Sequence, residues 1–172
     1  EITSIANNGF VPFNSSSTAL TAYVSEPSEC RWDVADTDFE NMQNNFICST
    51  KGFSTKSIYY GLYDCSALLR GIESNRANTF YFKCKDQPNA EESKRNVNVE
   101  SYVFTLRGTI PLEITSVSPT TGTELFNPSF LLRAVTAKGA ENGIALCGYN
   151  FDSGEPANMI DFLATNSSVH EQ

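Results

Sequence analysis

The stretch ECRWDVADTDFENMQNNFIC, residues 29 to 48, decides how the fold is interpreted. It holds the chain's one tryptophan, Trp32, two of its five cysteines and a run of acids. Such a stretch suits either a metal or catalytic site, or the core of a β-domain held by disulfides. Alternate residues of a strand share a face, so Cys30 and Trp32 point the same way, as in a core where an indole packs on a disulfide. We therefore predict that Trp32, and Tyr149 beside Cys147, are core aromatics.

The chain's charge argues against nucleic acid as a partner. Its 172 residues carry a net charge of -8, and the lysines and arginines form no cluster, so a phosphate backbone would be repelled. No apolar run reaches the roughly 18 residues that a membrane span needs, so we expect no span in this segment. The first residues do not resemble a signal peptide and no initiator Met is present. We therefore expect a processed or excised piece.

The five cysteines indicate an oxidising compartment. They form no CxxC pair, and the chain has a single histidine, so a structural zinc site is not expected. Disulfides explain the cysteines better, and they indicate an extracellular or cell-surface setting. The sequons at Asn14 and Asn166 are candidate glycosylation sites that agree with that location.

An internal repeat divides the chain. EITSI at residues 1–5 recurs as EITSV at residues 113–117, and Cys30-x-Trp32 recurs as Cys147-x-Tyr149. The repeat predicts a complete unit over residues 1–112 and part of a second unit over residues 113–172. The second copy stops near the counterpart of residues 50 to 56. We therefore expect it to lack everything equivalent to Cys65 and Cys84, which leaves Cys147 free or bonded to a partner.

Alternating polarity predicts an all-β fold, an immunoglobulin-like β-sandwich in repeats. In NTFYFKCKD, residues 78–86, Phe80, Phe82 and Cys84 face one way, and Leu20, Ala22 and Val24 do so in STALTAYVS. The spacing of Cys30 and Cys84 favours a disulfide between the two sheets of a sandwich. Cys48 and Cys65 would then pair across a shorter loop, although four cysteines can pair in more than one way.

Candidate ligands and catalytic groups are few. Asp33, Asp36 and Asp38 are close enough in sequence to suggest calcium, but their spacing does not match an EF-hand loop, and a solvated acidic loop is the competing interpretation. No other cofactor is expected. A lone histidine near the end of the chain offers no base for a nucleophile triad, so we expect no enzyme. Tyr59, Tyr60 and Tyr63 could bind sugar or protein, or cover a small core.

The order Cys-x-[Trp/Tyr], then Met, then Phe, followed by YFKCKD and the strand SYVFTL, resembles a known kind of module. It is similar to the tandem immunoglobulin-like or fibronectin-type-III-like repeats of very large cell-surface proteins of bacteria and archaea. The resemblance covers the whole first unit and the available part of the second. It implies stalks, spacers, and adhesive or filament-forming parts, and it says nothing about chemistry.

These observations lead to two expectations about function. The first is a non-catalytic structural module of an extracellular appendage, filament or surface layer, which assembles head to tail with copies of itself or with adjacent repeats. The alternative is an adhesin or receptor ectodomain that binds glycan or protein through its loops. Strand pairing between subunits would favour the first, and a pocket lined by aromatics or calcium in one unit would favour the second.

Overall fold

The computed structural model describes residues 2–6, 9–50, 52, 59–127, 129–152 and 154–172. The chain folds as two compact units, Glu1–Gly108 (unit 1) and Thr109–Gln172 (unit 2). The fold is all-β, as the alternation predicts. The strands are β1 (Ile2–Ala6), β2 (Phe10–Val11), β3 (Ser17–Val24), β4 (Ser28–Asp33), β5 (Asn44–Asn45), β6 (Ile47–Cys48), β7 (Tyr63–Arg70), β8 (Ala77–Asp86), β9 (Tyr102–Gly108), β10 (Leu112–Ser118), β11 (Arg133–Lys138), β12 (Gly148–Tyr149), β13 (Ile160–Asp161) and β14 (Val169–Glu171).

Helical structure among the described residues consists of short 3-10 turns, which include Phe39–Asn41, Glu92–Lys94 and Pro156–Asn158. Within the described part of the chain, no helix has the length and apolar character to cross a bilayer.

Unit 1 consists of two sheets that share one core. The first sheet has the strand order β1-β3-β7-β6 and the second β2-β9-β8-β4-β5. Leu20, Ala22 and Val24 of β3 are buried, and so are Phe80 and Phe82 of β8. These residues alternate along their strands because side chains of period two reach one face of a sheet. The burial therefore follows the two faces that the sequence pattern predicts.

Both disulfides connect the pairs that the spacing favours, Cys30 with Cys84 and Cys48 with Cys65. The expectation that Cys30–Cys84 joins two sheets is wrong. Cys30 and Cys84 lie opposite each other on the neighbouring strands β4 and β8 of one sheet, with their Cα atoms 4.0 Å apart. Cys48 and Cys65 do the same on β6 and β7, at 3.9 Å. Separation along the chain could not distinguish a bond within a sheet from a bond between sheets.

The two disulfides meet in the middle of the core. Sγ of Cys65, from one sheet, lies 3.8 Å from Sγ of Cys30, from the other. Trp32 is buried beside them and meets Phe80 edge to face, with ring centroids 5.6 Å apart. The centre of unit 1 is thus sulfur and aromatic surface contributed by both sheets.

Unit 2 has a three-stranded sheet, in the order β10-β11-β14, and a separate β12-β13 hairpin. Strand β14 places His170 opposite Ala134 of β11, as β7 places Cys65 opposite Ala22 of β3. The expectation that unit 2 has no counterpart of Cys65 is therefore wrong. The connection from Thr165 to His170 is much shorter than the equivalent one from Cys48 to Cys65, and a His stands at the position of Cys65. Both changes hide the match from a comparison of letters.

Removing the disulfides should destabilise unit 1 unequally. The chain-entropy account gives a loss of about 4 kcal/mol for Cys30→Ala/Cys84→Ala and about 3 kcal/mol for Cys48→Ala/Cys65→Ala, because the first bond closes the longer loop. Equilibrium denaturation followed by Trp32 fluorescence measures both, since Trp32 lies in this core. Cys147→Ala in unit 2 is the matched control and should leave the Trp32 transition unchanged. Equal or negligible losses would contradict the account.

Candidate functional site

The β12–β13 hairpin of unit 2 repeats the backbone of the β4–β5 pair of unit 1. The amide of Phe46 donates to the carbonyl of Cys30 at 2.9 Å, and the amide of Phe162 donates to the carbonyl of Cys147 at 3.0 Å. A 3-10 turn precedes Met42 in the first case and Met159 in the second. The two hairpins therefore present equivalent side chains to the space that faces them.

The two hairpins differ in whether a further strand pairs with their other edge. In unit 1, β4 lies between β5 and β8, whereas β12 pairs only with β13 among the described residues. Met42 is 3% exposed, but Met159 is 40% exposed. Cys30 is likewise buried and Cys147 only half-buried. Residues that are core in unit 1 thus lie at an open face in unit 2.

The open face forms an apolar groove, which we call the unit 2 groove. It is a cavity of about 350 Å³ whose lining includes Ile114, Val117, Ala134, Cys147, Tyr149 and Phe162. Tyr149 meets Phe162 edge to face, with ring centroids 5.5 Å apart, so the predicted core aromatic borders this groove. Ile114 and Val117 line the groove and remain exposed. The groove offers a contiguous apolar surface for another molecule or segment to cover.

Cys147 carries the free thiol within the described part of the chain. Its amide donates to Oγ1 of Thr165 at 3.0 Å. Burial raises the pKa of the Cys147 thiol above its ordinary value. The thiol is therefore protonated at neutral pH, and its nucleophilic form is scarce there.

His170 of β14 is fully buried. Its Nδ1 lies 3.0 Å from Oγ1 of Thr165 and its Nε2 2.9 Å from Oγ1 of Thr136. Because Oγ1 of Thr136 donates to the carbonyl of Gly143, Nε2 is the nitrogen that donates to Thr136. Thr165 and His170 occupy the register of Cys48 and Cys65. With both ring nitrogens engaged, His170 is a structural residue, a role that sequence analysis missed.

The calcium candidates are not brought together. The carboxylate of Asp33 accepts hydrogen bonds from the amides of Val34 at 2.7 Å and Gln43 at 3.0 Å, so it holds the loop that follows β4. Oγ of Ser101 donates to Asp36 at 2.6 Å. Asp33, Asp36 and Asp38 do not form a group of ligand atoms close enough to hold an ion within the part described.

Three sulfur atoms do lie within 4.8 Å of one another, those of Cys30, Cys48 and Cys65. All three belong to disulfides. A metal binds cysteine as thiolate, so this cluster is a core contact and not a metal centre.

The charged outer face of β4 and β8 is an ion-pair network. Lys85 is nearly buried and its Nζ donates to Glu40 at 2.7 Å and also to Glu92. Burial tends to raise the pKa of Glu29, but hydrogen bonds from Arg95 and Arg31 hold it below its ordinary value. The acids and bases neutralise one another, so the network braces the sheet and leaves little charge for a ligand.

The remaining candidates lie on the surface. Asn14 and Asn166 are exposed and both have left-handed φ, 62° and 58°. Tyr59 stacks on Tyr23 with ring centroids 3.8 Å apart, while Tyr60 is largely exposed and Tyr63 half-buried. The residues before Tyr59 in this segment, 53–58, lie outside the described residues.

No family model, curated protein or solved structure matches the chain.

Acid should remove the contribution of Glu40 to stability. The hydrogen bond from Lys85 holds the pKa of Glu40 below its ordinary value of 4.5. The carboxylate thus stabilises the fold above that value, and the contribution is lost as pH falls through the lower folded pKa. Thermal unfolding should show wild type more stable than Glu40→Gln at neutral pH, with the difference vanishing in acid.

The matched control is Glu73→Gln, which breaks the exposed ion pair of Glu73 with Arg76. Exposed pairs contribute little, so its melting temperature should follow wild type across the pH range. A Glu40→Gln difference that persists unchanged in acid would contradict the interpretation.

Proposed function

We propose that this chain is a non-catalytic structural module of an extracellular appendage, filament or surface layer. Its two units are copies of one immunoglobulin-like sandwich, and they assemble head to tail with neighbouring units. The observation that carries the proposal is the unit 2 groove, an uncovered apolar face at positions that unit 1 buries.

The strand pairings support the view of two copies. Ile5 pairs with Ala22 in unit 1, and Val117 pairs with Ala134 in unit 2, which are the positions that the sequence repeat aligns. The backbone hydrogen bond from Phe46 to Cys30 also has an equivalent in unit 2, from Phe162 to Cys147. Two facing sheets in unit 1, with a Cys and a Trp at the centre, are typical of sandwich domains.

The exposed apolar side chains of unit 2 support assembly. Ile114, Val117 and Met159 border the groove and remain exposed. These apolar side chains are available for a neighbour to cover, and a free strand edge is a site for pairing with another chain. A neighbour that covers this face would bury Met159 and Cys147, as unit 1 buries Met42 and Cys30 by itself.

Other observations support the proposed extracellular location and non-catalytic role. Two disulfides suit an oxidising extracellular or cell-surface compartment. The one histidine is buried and both of its ring nitrogens are hydrogen-bonded to threonines, an arrangement typical of a structural residue. The main charged cluster, around Lys85, is neutralised internally.

The alternative, an adhesin or receptor module, is favoured by Tyr60. This ring is largely exposed next to the stacked pair Tyr59 and Tyr23. A glycan or protein ligand that binds there would lose affinity in Tyr60→Ser and be indifferent to changes in the unit 2 groove.

Self-association tests the proposal. Sedimentation velocity of the 172-residue chain should show oligomers that grow with concentration. Met159→Glu places a charge in the groove and should weaken association by about tenfold or more. Leu163→Glu is the control, because Leu163 is more exposed than Met159 and is not among the residues that line the groove. A chain that stays monomeric at all concentrations would overturn the assembly proposal.

A further inference from the structure

We infer that the unit 2 groove is the binding site for one more antiparallel β-strand, which pairs with the free edge of β12. The strand carries large apolar side chains at alternate positions and a cysteine that forms a disulfide with Cys147. The inference rests on the proposed function, because it names the chemistry of the partner that occupies the same groove.

In unit 1 the equivalent strand position is filled by β8. There β8 pairs with β4, so that Cys84 faces Cys30 and Phe82 faces Trp32. Phe80 lies against Trp32, and Phe80 and Phe82 are both fully buried. In unit 2 the positions of Cys30 and Trp32 are held by Cys147 and Tyr149, and the place of β8 is vacant among the described strands.

The backbone hydrogen bonds of Cys147 place it at the ladder position that a cross-strand disulfide needs. In unit 1, Cys30 accepts from Phe46, and Cys84 exchanges bonds with Asn98, so the backbone groups of the two cysteines point away from each other. This is the non-hydrogen-bonded type of pair, in which side chains are closest.

Cys147 uses its backbone in the same direction. Its carbonyl accepts from Phe162 and its amide donates to Thr165. An antiparallel strand that joins the open edge therefore meets Cys147 at a non-hydrogen-bonded position. A cysteine on that strand, opposite Cys147, would bond to it as Cys84 bonds to Cys30.

The lining selects apolar side chains over a charged ligand. Arg133 is the charged member of the lining, and its Nε lies 3.4 Å from Oε1 of Glu171, so its charge is already paired. The remaining surface is largely hydrocarbon, aromatic ring and sulfur, and it includes Ile114, Tyr149 and Met159. Neutral rings at alternate positions of a strand fit this surface as they fit the core of unit 1.

The bond requires an oxidant, for which a small disulfide such as oxidised glutathione suffices. The thiolate of Cys147 attacks one sulfur of the oxidant, forms a mixed disulfide and releases one reduced thiol. The thiolate of the strand's cysteine then attacks Sγ of Cys147 and releases the second reduced thiol. The two cysteines lose two hydrogens in all, and the oxidant gains them.

The test uses a synthetic peptide of residues 77–86, ANTFYFKCKD, with the 172-residue chain in a glutathione redox buffer. Intact mass and peptide mapping measure the disulfide between Cys147 and the peptide. The equilibrium constant should be about 100-fold higher than for the same peptide with Phe80→Ser and Phe82→Ser, because two rings lose their burial. A second control peptide, Lys83→Cys/Cys84→Lys, turns the thiol to the opposite face of the strand and should also bond poorly.

Equal bonding of all three peptides would show mere thiol reactivity and would overturn the inference, as would no bonding of any. The wild-type peptide with Cys84→Ser should slow alkylation of Cys147 without a covalent bond. The protein is the same throughout, so no variant has to fold. Peptide bonding by a chain that stays monomeric would sustain the strand site and reject self-assembly. Self-association without peptide bonding would sustain assembly and reject the strand site.

Discussion

The contact between two disulfides at the centre of unit 1 sets the rest of that unit. Each bond locks a pair of neighbouring strands in register, and the 3.8 Å contact between Sγ of Cys30 and Sγ of Cys65 brings the two sheets together at one point. A slip of one residue in either ladder would turn a cysteine to the wrong face. The burial of Phe82 and Trp32 follows from the register of β4 with β8.

Unit 2 uses the same positions with different chemistry. A hydrogen-bonded pair, Thr165 and His170, stands where unit 1 has Cys48 and Cys65, and Cys147 stands where Cys30 is bonded. In unit 2, hydrogen bonds of His170 with Thr136 and Thr165 stand where unit 1 has the Cys48–Cys65 disulfide. The β12–β13 hairpin lacks a strand like the β8 that pairs with β4 in unit 1, among the described strands. Unit 1 covers its own apolar core with β8. Unit 2 has the equivalent hairpin without that strand among the described residues, which leaves an apolar face with a thiol at its edge. This contrast underlies both proposals.

The sequence predicted those parts of the structure that depend on short-range patterns. Alternation identified the inner faces of β3 and β8, and the spacing of four cysteines favoured the bonds that form. It misjudged the placement of Cys30–Cys84, because sheet membership depends on pairings far apart in the chain. His170 was missed because a His replaces a Cys after a shortened loop. The acids near Asp33 resembled a cation site because spacing does not reveal that backbone amides already occupy that carboxylate.

The central claim is that the edge of β12 is open where the edge of β4 is covered. By the alternation of an antiparallel ladder, the amides of Arg31 and Gly148 point toward β8 and toward the vacant edge, respectively. Residue-resolved amide hydrogen exchange by NMR compares the two in one sample. The account predicts that Arg31 is protected at least about 1,000-fold more than Gly148 in the monomeric chain. Equal protection of the two amides would mean that β12 is already paired, and would contradict it.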